Sequence, residues 1–395
     1  MGSLLYSLVS KIKASPVSHL LLVITFLVSG LVVNLAQLIL YFGVRPFSKY
    51  YFRKLNYYVA YSLYCQLLFV AEWWGSTDLI IYINKDDFEK YYGKEHGYLC
   101  MNHRYEIDWL MGLLFCDRIH MLANCKTFAK KSIQYVPTMG WAFKFGECVF
   151  LDRNWEKDKE TIGRQLRELV EYPDPMWLLL TAEGTRFTPE KHVNSLKFAR
   201  EKGLPELKHH LTPRTKGFTA SIPYLKGKVG AIYDVQFAFK KTETPTINNF
   251  LQGKSVEAHL YIDRIPVEEV PTKEEECAAW LHQLYQKKDR MMDSFFNTGD
   301  YFTQSDVQRV EPFRLPRRYC SLLNTLSWAV VVLVPIGYGL LKLLTSGSTV
   351  YFMIGTTIIA IFFVVLYKMI GITKISKSSS YGKDKPSKGD TKKTE

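Results

Sequence analysis

The chain has 395 residues, a formal net charge of +13 and 47% hydrophobic residues. The apolar residues are clumped at the two ends, the pattern of a membrane protein with a globular middle. The basic excess does not indicate nucleic acid, because the aromatics sit in apolar runs and no nucleic-acid motif is present; anionic lipid headgroups or an acidic substrate fit it better. Seven cysteines without C-x-x-C spacing argue against a disulfide framework or a zinc site.

Val17 to Val44 is apolar over a length that crosses a bilayer of ~30 Å. It has no small-residue cleavage site near its end and reads as an anchor rather than a signal peptide. Lys11 and Lys13 precede it and Arg45, Lys49, Arg53 and Lys54 follow, so the positive-inside rule selects no orientation. Leu55 to Trp74 is nearly as apolar, rich in Tyr, and ends in Trp73-Trp74, residues that favour the membrane interface. Residues 1–76 are therefore expected to form a membrane-associated helical hairpin sunk in one leaflet. Core packing of the second helix and a second full crossing are the alternatives.

From about Thr77 to Phe296 short apolar strands alternate with amphipathic helices, so an α/β domain with a mixed sheet flanked by helices is expected over 77–311. A strand, Tyr98–Met101, opens onto Asn102-His103-Arg104-Tyr105-Glu106-Ile107-Asp108, and an apolar helix follows from Trp109. His103 and Asp108 can fold back on one another across this turn. A carboxylate that holds Nδ1–H leaves Nε2 as an acceptor, which a general base needs near neutral pH. Taken alone, a loop histidine beside an unrelated helix-capping aspartate explains the same spacing.

Gly146 to Arg153 is a further strand-like run closing on an arginine, and Ile162, Leu166, Leu169 and Val170 line one face of a helix after it. Met176–Thr181 is a third apolar run, ending in Glu183-Gly184-Thr185-Arg186, where glycine lets the backbone turn closely around a ligand and arginine offers a forked donor set for phosphate. His209-His210 reads as a surface pair, Cys100 as a packed strand residue and Met291-Met292 as core. Val229 to Phe239 is a strand. Val256, Ala258, Leu260 and Ile262 alternate with Glu257, His259, Tyr261 and Asp263, the period of a half-exposed strand. Thr272-x-x-Glu275 is a capping box that opens a helix to about Phe296.

A polar linker, Pro312–Arg318, leads to two apolar segments, Ser321–Leu344 and Val350–Ile370, expected as a C-terminal transmembrane helical hairpin within 312–371. Residues 372–395 are basic and Ser/Gly-rich and are expected to be disordered. The terminal Lys392-Lys393-Thr394-Glu395 resembles the dilysine signal by which coat proteins return membrane proteins to the endoplasmic reticulum. That signal requires a cytosolic C-terminus. With two crossings it also places the catalytic domain in the cytosol.

N-H-x4-D, then F-x-x-R ending at Arg153, then E-G-T-R resembles the 1-acylglycerol-3-phosphate O-acyltransferase family. Trp73-Trp74, Tyr135-Val136-Pro137, Pro213–Phe218 and the long C-terminal extension are similar to its larger animal branch, the gamma and delta isoforms. The resemblance implies transfer of an acyl group from acyl-CoA, a co-substrate, to the sn-2 hydroxyl of lysophosphatidate in a membrane. It implies no metal, no bound cofactor and no acyl-enzyme. His103 would be the base and Asp108 its orienting partner. Arg153 and Arg186 would bind the substrate phosphate, with Glu183, Gly184 and Thr185 shaping the pocket. Lys131 heads the matching K-x5-P-x2-G run to Gly140, with Lys130 as its alternative. Arg214 and Lys216 are candidates for the CoA phosphates, or else a solvated basic loop. Leu211-Thr212-Pro213 and Ser221-Ile222-Pro223 compete for the family's proline-bearing motif.

Three readings compete with this one. The first is an acyltransferase for another acceptor, such as lysophosphatidylinositol. The second is a lipid hydrolase, against which the absence of G-x-S-x-G counts. The third is a non-catalytic membrane scaffold.

Overall fold

The structure, a computed structural model, describes residues 2–152 and 154–372. Arg153 and the tail that carries Lys392-Lys393 lie outside the described residues. Three helices open the chain: α1 (Gly2–Ala14), α2 (Pro16–Gly43) and α3 (Lys49–Phe69), the last continuing through a wider π turn, Val70–Trp74. Serines fix two starts: Ser15 accepts from Val17 N–H ahead of Pro16, and Ser48 accepts from Tyr51 N–H.

Next come β1 (Asp78–Tyr82), α4 (Lys85–Tyr91), β2 (Gly97–Met101), α5 (Asp108–Arg118), β3 (Cys125–Lys130), α6 (Met139–Phe145), β4 (Val149–Leu151), α7 (Trp155–Leu169) and β5 (Trp177–Leu180). The domain then adds α8 (Pro189–Lys202), α9 (Thr215–Leu225), β6 (Ala231–Phe239), α10 (Ile247–Leu251), β7 (Glu257–Pro266) and α11 (Glu274–Thr298). The chain closes with β8 (Pro312–Phe313), α12 (Cys320–Leu344) and α13 (Thr349–Ile372).

The strands form one mixed sheet of eight in the order β4-β3-β5-β2-β6-β7-β1-β8. β4, β3, β5, β2 and β6 run parallel; β7 is antiparallel to β6, and β8 to β1. The parallel block therefore delivers the segments after β2, β3, β4 and β5 to one edge, the carboxyl end where ligands bind in open α/β sheets. Both faces are covered, so side chains alternate between two cores. Leu99 and Met101 join Tyr64, Leu68 and Met111 on the face under α3 and α5, while Tyr98 and Cys100 join Ile162, Phe218 and Leu281 under α7, α9 and α11.

The inner face of α3 thus joins the core over this sheet face, and Tyr50, Tyr51 and Tyr58 remain exposed on its other side. Among the described residues two helices, α2 and α12, are long and apolar enough to cross a membrane. Leu323, Val330, Val331, Val334 and Leu341 stand exposed along α12, apolar area that would be costly in water.

Three expectations change. β7 is buried on both sides over Ala258–Ile262, because His259 and Tyr261 meet Phe295 near the end of α11 and Tyr301 and Phe302 just past it. The capping box at Thr272 does not form. α11 starts at Glu274 with Lys273 as a cap lacking a side-chain bond, and Glu274, Glu275 and Glu276 put negative charge on its first turn instead. The linker before α12 is not a free tether: Pro312–Phe313 adds β8 to the sheet edge, Arg314 bonds Asp78 at 2.8 Å, and Arg318 bonds Asp117 at 2.9 Å.

Candidate active site

β2 ends at Met101, and Asn102 closes the strand by exchanging two hydrogen bonds with Phe237 of β6, at 3.0 and 2.9 Å. The turn beyond is wrapped around Asp108 at the start of α5. Its Oδ2 accepts the N–H groups of Arg104 and Tyr105, both at 2.8 Å, and faces His103 Nδ1 at 3.3 Å. With Nδ1–H donating to Asp108, Nε2 keeps its lone pair. His103 is partly open to solvent while Asp108 is fully buried. Burial pushes the Asp108 carboxyl above the usual range, against the pull of His103 and the two backbone donors.

The turn after β5 is hydrogen-bonded directly to this one. Glu183 Oε1 accepts the backbone N–H of His103 at 2.9 Å, and Phe187 N–H donates to the carbonyl of His103 at 2.8 Å. The other Glu183 oxygen accepts Leu211 N–H at 3.1 Å. Burial also raises the Glu183 carboxyl, opposed by His210 and those backbone donors. Gly184 has φ +68°, which favours glycine in the turn, and a Cβ there would lie 3.0 Å from Arg214 Cδ, so Arg214 packs closely against it. Arg186 lies 3.7 Å from Glu106. Lys191, on the first turn of α8, donates to Thr185 Oγ1 at 2.6 Å and to the Arg186 carbonyl at 3.3 Å.

His103, Asp108, Glu183, Gly184, Thr185, Arg186 and Arg214 therefore form one cluster. Lys131 is exposed just past β3 and pairs with Asp152 at 2.8 Å. Lys216, at the start of α9, sits 5.7 Å from the Trp155 ring. Of the two proline-bearing runs, Leu211-Thr212-Pro213 adjoins Glu183, whereas Ser221-Ile222-Pro223 is within α9 with Ile222 in the second core. Cys100 is fully buried, and burial pushes its thiol far up, as for a packed residue.

His209-His210 is not a surface pair. His210 is 1% exposed at its side chain and its Nδ1 is 2.9 Å from Asp289 on α11; His209 Nε2 is 2.8 Å from Asp293. Spacing alone conceals these partners, which lie about eighty residues downstream. Arg104 is a further site residue that the motif spacing does not mark. Its guanidinium donates to the His209 carbonyl at 2.9 Å and lies over the rings of Phe187 and Phe296 at 4.2 and 5.2 Å. Its place directly after His103 is the signal the sequence offers.

Behind the motif an apolar cavity of about 110 Å³ lies on the sheet face under α5, with Met101, Trp109, Leu113, Phe143, Leu179 and Phe237 among its walls. A larger crevice of about 520 Å³, between Lys85, Asp263, Lys287 and Arg309, contains none of these site residues.

The Acyltransferase family profile matches residues 80–218 and the Acyltransferase C-terminus profile residues 249–328. The chain is 41% identical over 375 residues to human 1-acyl-sn-glycerol-3-phosphate acyltransferase gamma, covering 95% of this chain and 97% of that one. It is 40% identical over 378 residues to the delta enzyme of Bos taurus, with the same coverage of 95% and 97%. The crystal structure of the 1-acyl-sn-glycerophosphate (LPA) acyltransferase PlsC from Thermotoga maritima aligns with 70% of this chain and 97% of its own, at 13% identity and a TM-score of 0.40. On the identity shared along nearly its whole length with these curated relatives, the chain belongs to the 1-acyl-sn-glycerol-3-phosphate acyltransferase family.

Proposed function

We propose that this protein transfers an acyl group from acyl-CoA to the sn-2 hydroxyl of lysophosphatidate, forming phosphatidate and CoA for phospholipid synthesis. The observation that supports the reading is the direct bonding of the His103 turn to the Glu183–Arg186 turn, with a histidine on the one and an arginine on the other. His103 Nε2 takes the hydroxyl proton as the oxygen attacks the thioester carbonyl carbon. The carbon–sulfur bond then breaks, and the imidazolium returns its proton to the leaving CoA thiolate. Asp108 holds the imidazolium through Nδ1.

Arg186 takes the substrate phosphate by charge-assisted hydrogen bonds, with Arg153 as a second donor and Thr185 and Gly184 lining the turn. Lys131 joins them once its exposed pair with Asp152 opens. Arg214, against Gly184, and Lys216 face the CoA phosphates. The cavity under α5 takes part of an acyl chain, a use supported by its apolar walls.

In this reading residues 1–76 anchor the catalytic region 77–311 as a helical hairpin at one leaflet. The second hairpin, within 312–371, crosses the endoplasmic reticulum membrane twice. The catalytic region and the tail 372–395, with its dilysine address for coat protein, face the cytosol. The test is transfer from labelled oleoyl-CoA by the detergent-solubilised protein to a panel of lysophospholipids. Transfer to lysophosphatidate is expected. Transfer to lysophosphatidylinositol or other esterified acceptors alone would overturn the acceptor, and transfer to none would overturn the enzyme reading in favour of a scaffold.

A further inference from the structure

We infer that Asp289, on α11 and outside all the motifs, is a positioning residue of the active site, acting through the 208–211 segment. The geometry carries it. One carboxylate gathers four donors from that segment: Oδ2 accepts Lys208 N–H at 2.7 Å, and Oδ1 accepts His209 N–H at 2.7 Å, His210 N–H at 3.1 Å and His210 Nδ1–H at 2.9 Å. Three successive amides turned toward a single carboxylate fix the backbone of the segment, not merely one side chain.

The segment so fixed makes two bonds to the site, and both reach the turn that carries His103. Leu211 N–H donates to Glu183 Oε2 at 3.1 Å, and the opposite oxygen of the same carboxylate holds His103 N–H at 2.9 Å. The His209 carbonyl accepts the Arg104 guanidinium at 2.9 Å, and Arg104 directly follows His103. Glu183 is 2% exposed, so loss of the Leu211 donor leaves a buried carboxylate oxygen without a replacement from bulk water. Asp289 thereby links α11, the long helix behind the sheet, to the backbone on which the catalytic imidazole stands. A misplacement of about 1 Å at a reacting group costs on the order of 10²-fold in rate.

The two oxygens of Asp289 carry unequal loads, and this gives the inference a signature. Asp289→Asn keeps an oxygen for the three donors on Oδ1 and loses only the Lys208 bond. Asp289→Glu keeps charge and acceptors but pushes the segment away by a methylene. Asp289→Ala releases it. Leu281→Ala, in the fully buried core of the same helix, is the control for general destabilisation.

The inference rests on the acyltransfer reading for its kinetic arm. Initial rates with oleoyl-CoA and lysophosphatidate are expected to show kcat at least about tenfold lower in Asp289→Ala and Asp289→Glu, and KM within about threefold of the unsubstituted protein. Asp289→Asn should retain kcat within about threefold. A purely electrostatic role predicts the reverse order of Asn and Glu. Unchanged kcat in Asp289→Ala and Asp289→Glu, that reversed order, or an equal kcat loss in Leu281→Ala at a matched fall in unfolding temperature would each overturn the inference.

A second arm needs no turnover and separates this inference from the functional reading. Hydrogen exchange at the amides of His103 and Leu211 is expected to quicken in Asp289→Ala more than in Leu281→Ala. Quickening confined to residues 208–210 would overturn the inference even if the unsubstituted protein transfers no acyl group at all.

Discussion

Replacing Asp108 by Asn keeps the shape of the proposed catalytic pair and removes its charge. The oxygen that accepts Arg104 N–H, Tyr105 N–H and His103 Nδ1 has an amide counterpart, and the amide nitrogen takes the place of Oδ1, which has no hydrogen-bond partner. Coulomb's law at 3.3 Å with an effective dielectric of about 20 gives roughly 5 kcal/mol for a full imidazolium–carboxylate pair. The imidazolium is only part-formed in the transition state and His103 is partly solvated, so about 3–4 kcal/mol is at stake, or roughly 10²–10³-fold in kcat. KM should stay within about threefold, since Asp108 is fully buried behind His103.

Stability should move the other way. Burial raises the Asp108 carboxyl in the folded protein, so the folded state holds that proton more tightly than the unfolded chain. Its contribution is therefore most favourable below the ordinary aspartate range and is lost as pH rises through the raised value. At neutral pH the buried charge is a cost that Asn removes. The variant should unfold at an equal or higher temperature than the parent at about pH 7.5, with the difference shrinking as pH falls toward the ordinary aspartate value of about 4. Initial rates with labelled oleoyl-CoA and thermal unfolding across that pH range measure both. A kcat within fivefold of the parent, or a clear loss of stability at neutral pH, would refute the pairing.

Arg186→Lys removes the forked donor set and should raise KM for lysophosphatidate roughly 10-fold, with Arg186→Ala nearer 100-fold and the KM for acyl-CoA little changed; two-substrate kinetics separate the two. Gly184→Ala should cost about 1–2 kcal/mol in denaturant unfolding and lower activity, because φ is +68° and the new methyl would lie 3.0 Å from Arg214 Cδ. The Arg53 guanidinium, bonded to Glu147 at 2.8 Å, holds that glutamate below its usual range against the effect of burial. The pair therefore stabilises the fold above the unfolded glutamate value of about 4.3, and this is lost as pH falls through the lowered one. Glu147→Gln should cost about 1–3 kcal/mol at pH 7 and flatten the acid limb of the stability curve.

What the sequence discloses and conceals follows from the range of the interactions. β2 and β5 are continuous apolar runs because both sheet faces are covered, and β6 keeps that pattern except at Asp234 and Gln236, so local patterning finds all three. His103, Asp108, Glu183 and Arg186 are found because each lies within a few residues of a strand end. The inner face of α3 reads as membrane or core alike, since lipid and protein interior select the same residues, and the shared core with α5 and the sheet decides. The strand at Pro312–Phe313 is two residues long and gains its identity from pairing with β1. His259 and Tyr261 suggested a wet face because their partners, Phe295 and Tyr301, lie well downstream. A longer separation still hides Asp289 from His210.

The most direct test of the account is acyl transfer by His103→Ala beside the parent protein, both purified in detergent and shown to unfold at similar temperatures, with oleoyl-CoA and lysophosphatidate as substrates. The account predicts rapid transfer by the parent and a loss of about 10²–10⁴-fold in the variant, the range general base catalysis supplies. Equal rates in the two proteins would contradict it, because the group proposed to remove the hydroxyl proton would then have no part in the reaction.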